Sequence, residues 1–171
     1  MIIPQESHLI INAKPVQAEM LINITEYWES QRGNKELPSR NDIDPLDFPY
    51  ALGNVTLIEV IGERFRFRLD GVNMAAGYGG DYTGRYADEL QPEDYRDSIL
   101  YLYRQTIAAR RPVNYYRSVR VGKHVLSYEG VCLPLSHNDN TVNMLMDVMQ
   151  DQLNPTILES SMQINYAAGT K

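Results

Sequence analysis

Residues 64–70 read RFRFRLD, an alternation of period two that places Phe65, Phe67 and Leu69 on one face and Arg64, Arg66 and Arg68 on the other. Only an extended strand with one covered face gives that order its use. The segment before it, 54–61, is rich in Val, Leu and Ile and is joined to it by Gly62-Glu63, so the two are read as a hairpin. A hairpin with one apolar face is stable only against something else, and the rest of the chain must supply it. The three arginines are read as a solvated face; the sharper reading is a surface for an acidic partner or ligand.

Upstream, residues 1–14 show no clear period and are expected to form a loose arm. From 16 to 31, Met20, Leu21, Ile24, Tyr27 and Trp28 mark the stripe of an amphipathic helix that ends at Gly33-Asn34. The stripe carries the only tryptophan, so it is expected to pack on its own domain; a homodimer interface is the alternative. Residues 37–40 form an extended entry before a short turn in which Asp44 is the cap, Pro45 the first helical residue and Asp47 the capping-box acid. Capping explains Asp44 and Asp47 more simply than a metal shared with Asp42.

After the hairpin a short helix is expected at 72–78 and a helical turn at 87–90. Gly77, Gly79 and Gly80 fail the dinucleotide fingerprint, because Tyr82 stands where its third glycine belongs. The long helix opens at Pro92, carries acids at its start and Arg104, Arg110 and Arg111 at its end, and buries Tyr95, Ile99, Leu102, Tyr103 and Ile107. Pro112 stops it. Strands are expected at 113–121, 124–135 and 141–149, with turns at Gly122-Lys123 and 136–140. Strands on both sides of a helical middle give an α+β fold, one antiparallel sheet with helices on one face and an amphipathic helix at the N-terminus.

A chain of 171 residues is read as an arm and helix start at 1–20, one domain at 21–149 and a tail at 150–171. Its formal charge of −6 argues against nucleic acid, whose phosphates are gripped by Lys and Arg. No apolar run approaches the roughly 20 residues that span a bilayer. With Cys132 as the single cysteine there is no intramolecular disulfide, and a cytoplasmic protein is expected.

The motifs LPSRNDIDP at 37–45, FRFRLDG at 65–71, DYTGRY at 81–86, PEDYRDSILYLYRQTIAARRPV at 92–113 and VCLPLS at 131–136 give a resemblance to a bacterial PAS-like domain family over about 21–149. It implies a five-stranded antiparallel sheet and a sensory or interaction role, with a ligand in the cavity between sheet and helices or a partner on the sheet. Val72 departs from the small hydroxyl residue expected after the glycine, which implies an altered pocket wall.

The tyrosines are the most informative side chains, since each offers apolar area and a hydroxyl handle. Phe67, Met74, Tyr78, Tyr82, Tyr103, Tyr116, Tyr128 and Met144 are the expected ligand-lining residues; ordinary core packing is the alternative. His8, His124 and His137 lie outside the predicted helices, which argues against histidine-ligated haem. Cys132 falls in a predicted strand and is read as a small buried residue, not a reactive thiol. No cofactor is specified. The leading function is a non-catalytic sensory or interaction module with a small-molecule ligand, a signalling partner or both. The alternatives are a small enzyme using Tyr and Asp as acid-base groups, and a ligand-free dimer.

Overall fold

The computed structural model describes residues 6–78, 80–121 and 124–151. Six strands form one sheet: β1 (Glu6–Ile11), β2 (Val55–Ile61), β3 (Arg64–Asp70), β4 (Val113–Val121), β5 (His124–Leu135) and β6 (Met144–Asp151), in the order β1-β4-β5-β6-β2-β3, all neighbours antiparallel. The helices are α1 (Glu19–Arg32), α2 (Val72–Tyr78) and α3 (Glu93–Ala109). The α+β antiparallel architecture is the expected one, with β2 and β3 as the hairpin.

The sheet has six strands, not five, because part of the expected loose arm is a strand. Its side chains alternate between half-buried and exposed from His8 onward, and its backbone pairs with β4 from Glu6 opposite Arg120 to Ile11 opposite Tyr115. Arg120 Nε donates to Glu6 Oε2 at 3.0 Å across this pair. The turn expected at Gly122-Lys123 and the tail from 152 onward lie outside the described residues; β6 itself runs on to Asp151.

The register sorts the central strands into two faces. Val113, Tyr115 and Arg117 of β4 pair with Cys132, Gly130 and Tyr128 of β5, and Cys132 in turn pairs with Asp147 of β6; these lie on the face covered by α2 and α3. Glu129, Val131, Leu133, Met146 and Val148 alternate to the other face, and every one is buried. The N-terminal helix covers them. Leu21, Ile24 and Trp28 of α1 are all within 1 % of full burial, and the Trp28 indole N–H donates to Pro134 O at 2.9 Å. The tryptophan stripe therefore packs inside its own domain.

Helix α1 starts later than the sequence pattern predicts. The Glu129 carboxylate accepts hydrogen bonds from the amides of Gln17 and Ala18, and Ala18 is extended with ψ 124°, so the chain enters the helix only at Glu19. Gly33 ends it at φ 55°, a conformation a side chain rarely adopts. Between α1 and β2, the capping box is formed by Ser39 and Asp42, one turn earlier than predicted. Asp44 Oδ1 does cap its own turn through Leu46 N at 2.9 Å, while Asp47 instead accepts from the Tyr27 hydroxyl at 3.0 Å. Helix α3 ends at Arg110, which takes a left-handed conformation two residues before Pro112.

Candidate functional site

The site is built by an irregularity in the hairpin. Register between β2 and β3 shifts at Leu57 and Ile58: Leu57 faces Leu69, yet Ile58 faces Phe67, so Arg68 is an extra residue in β3. The alternation read from the sequence holds for Phe65 and Phe67, which are buried, and then inverts. Leu69 turns out to solvent at 46 % exposure, and Asp70 turns inward in its place. Asp70 Oδ1 accepts from Thr56 Oγ1 at 2.9 Å and Asp70 Oδ2 from the Tyr82 amide at 3.3 Å. Gly71 then passes so close to Gly53 that a Cβ there would lie 2.4 Å from the Gly53 carbonyl oxygen, which fixes where the strand ends and α2 begins.

The connector after α2 closes over the edge of β3. Phe67 N donates to Arg85 O at 2.9 Å and Gly84 N to Phe67 O at 2.7 Å, which adds residues 84–86 to the strand edge and lays the Tyr82 ring 6.0 Å from the Phe67 ring. Two of the three arginines are engaged locally. Arg64 makes a two-pronged pair with Asp88 at 2.7 Å and stacks on Tyr86, and Arg66 pairs with Glu59.

Asp147 lies in the middle of β6, among Leu145, Met146, Val148 and Met149, and is only 3 % exposed. Its Oδ1 accepts from the Tyr115 hydroxyl at 2.8 Å. Tyr115 reaches it by lying across Gly130: a Cβ at that position would come within 2.2 Å of the tyrosine ring, so only glycine leaves the ring its place. Behind the pair, the buried guanidinium of Arg117 sits 5.2 Å from the Tyr95 ring and 5.7 Å from the Tyr115 ring.

Thr56, Phe67, Asp70, Met74, Tyr82, Leu90, Tyr95, Ile99, Tyr103 and Asp147 surround one cavity between α3 and the sheet. The space open to the centre of a water molecule is about 20 Å³, enough for a water or a group of similar size and far short of a haem or flavin. Of the residues expected to line a ligand site, the fold brings Phe67, Met74, Tyr82 and Tyr103 together here. It separates the others. Tyr116 alternates to the α1 face, where its hydroxyl donates to Glu129 Oε1 at 2.7 Å. Met144 pairs with Leu135 and Glu59 on that same face. Tyr128 is buried opposite Arg117, on the cavity side of the sheet but outside the wall. Tyr78 closes α2, and its side chain lies outside the described residues. Val72 is 75 % exposed and forms no part of the wall, so its departure from the expected residue does not alter the pocket.

Sequence reasoning missed Thr56, Asp70, Arg117 and Asp147. A lone acid in an otherwise apolar strand was the available signal for Asp147; nothing local marked Asp70, whose direction depends on the bulge. Burial pushes the Asp147 carboxyl up to about 6, helped by the charge of Asp70, while the Tyr115 hydroxyl and Arg117 hold it down. Burial also raises Asp70, against the hydrogen bonds from Thr56 and Tyr82. Burial pushes the Tyr128 phenol up to about 12 and the fully buried Cys132 thiol well above its usual range, so both stay protonated at neutral pH.

A sheet of this topology, with helices carried between its second hairpin strand and the next strand and a small cavity beneath them, defines an α+β domain built on one antiparallel sheet. A comparison with known families matches residues 16–150 to the PAS domain, and the chain belongs to that family. No curated protein matches the sequence. No helix among the described residues is long and apolar enough to cross a membrane.

Proposed function

We propose that this PAS domain is a cytoplasmic sensory or interaction module without catalysis of its own, reading a small polar molecule bound between α3 and the sheet. The observation that carries this is the cavity, where Asp70, Asp147 and Thr56 meet the rings of Phe67, Tyr82, Tyr95 and Tyr103. Polar groups converging in an otherwise apolar hollow are what orient a small ligand. Strand β6 links this cavity to α1, since Asp147 faces the ligand side while Met146 and Val148 lie beneath the N-terminal helix. A signalling protein, or a second copy of the chain, would meet the outer side of α1, where Ile22 is 39 % exposed.

A second reading has one specific observation in its favour: Asp147 is a buried carboxyl beside a tyrosine hydroxyl with its proton poised near neutral pH, as an acid-base catalyst requires. Native mass spectrometry on protein purified gently from its source separates the readings. The sensor reading expects a mass increment that leaves on denaturation and whose carrier is recovered chemically unchanged after prolonged incubation with fresh protein. Conversion of that molecule by the wild type and not by Asp147→Asn would establish the enzyme instead. An empty protein at twice the chain mass would point to a structural dimer.

A further inference from the structure

We propose that the group held in this cavity is a small organic ammonium ion, of about methylammonium size, seated between Asp70 and Asp147 with Phe67, Tyr82 and Tyr103 around it. The inference rests on reading the cavity as a ligand site and names the chemistry that site selects.

The wall offers acceptors and negative charge. Thr56 Oγ1 gives its hydrogen to Asp70, so toward the cavity it presents lone pairs. Asp70 comes from β3 and Asp147 from β6; α2 contributes Met74, and α3 contributes Tyr95, Ile99 and Tyr103, with no carboxylate or basic side chain among them. On this face of β4 stands Arg117, set behind the rings of Tyr95 and Tyr115, while Arg120 alternates to the opposite face and pairs with Glu6. The connector adds the exposed Asp81, whose charge also acts on Asp70, and Arg85, which lies 5.0 Å from the Tyr82 ring. Two inward carboxylates thus face one buried guanidinium.

An anion would meet both carboxylates in a poorly hydrated space, and an apolar group would answer neither their charge nor the lone pairs left beyond the bonds from Thr56, Tyr82 and Tyr115. An ammonium group supplies charge and three hydrogens, and aromatic faces add to its attraction. The 20 Å³ open to it limits the occupant to one or two heavy atoms.

Isothermal titration of the full chain at pH 8 tests this with methylammonium chloride, sodium acetate, ethanol and potassium chloride. Saturable binding of methylammonium at one site is expected, weakened about ten- to a hundredfold in Asp70→Asn, whose amide oxygen still accepts from Thr56. Phe67→Leu, which leaves both carboxylates in place, should weaken it about threefold. Binding should also fall at pH 5, where Asp147 carries a proton. Acetate or ethanol binding in place of methylammonium overturns the cation while leaving the cavity a ligand site. Potassium binding as tightly as methylammonium overturns the organic ion in favour of a bare one. Saturable binding by none of the four overturns the proposal, and an empty protein in native mass spectrometry then removes the ligand reading as well.

Discussion

Asp147 is the residue on which the chemistry and the stability of this domain meet. Its carboxyl titrates near 6 in the fold against an ordinary value of 3.8, because burial disfavours the charged form more than Tyr115 and Arg117 favour it. The folded state therefore holds this proton more tightly than the unfolded chain does. Stability contributed by the group is full below about pH 4 and is lost as pH rises through 6, the reverse of a salt-bridged aspartate. Asp147→Asn should remove this slope: between pH 4 and pH 7 the wild type should lose about 2 kcal/mol relative to the variant in urea unfolding. Parallel pH profiles would show that the charge of Asp147 is relieved in some other way. In Asp70→Asn the carbon-detected NMR titration of Asp147 should move to lower pH, since the neighbouring charge that raises it is gone. None of this was legible from residue type. An aspartate in an apolar strand announces itself, but Tyr115 reaches it only because Gly130, fifteen positions further along the chain, leaves room for the ring.

At the level of elements, periodicity carried most of the fold. The hairpin, α2, α3 and the strands β4 and β5 fall where alternation and stripe place them. Two elements did not yield to it. Strand β1 lacks a strong pattern because it lies at the sheet edge, where none of its side chains is fully buried and backbone pairing to β4 does the holding. The start of α1 is set by Glu129, a buried acid on β5 that gathers the amides of Gln17 and Ala18 and the hydroxyl of Tyr116. Glu129→Ala leaves the two amides facing a gap, while the Tyr116 hydroxyl keeps Pro15 O at 2.9 Å, and should cost about 3 kcal/mol, whereas Glu129→Gln, which keeps an acceptor, should cost about half of that. Urea unfolding followed by Trp28 fluorescence measures both, and equal losses in the two variants would mean that the charge of Glu129, not its acceptor geometry, anchors the helix. The same alternation that located the strands explains why Tyr116 and Met144 are absent from the cavity. Successive residues point to opposite faces, and which face is the ligand side is not written in the strand.

Across the whole molecule, one continuous core joins α1 on one face to α3 on the other through a central sheet buried on both sides. The two faces should therefore unfold together. Trp28 fluorescence reports the α1 face, near-ultraviolet tyrosine circular dichroism is weighted toward the α3 face, and their urea midpoints should coincide. Separate midpoints would show the N-terminal helix to be an independently melting layer. What the sequence determined by itself was the α+β class, the order of most elements, the burial of the only tryptophan and a tyrosine-bearing cavity wall, because periodicity and turn chemistry are local properties of the chain. Tertiary structure alone decided that an edge strand completes the sheet, that a bulge turns Asp70 inward in place of Leu69, and that Asp147, Tyr115 and Gly130 meet. Those outcomes depend on register between segments far apart in the chain, where a shift of one residue exchanges the inside of the sheet for its outside.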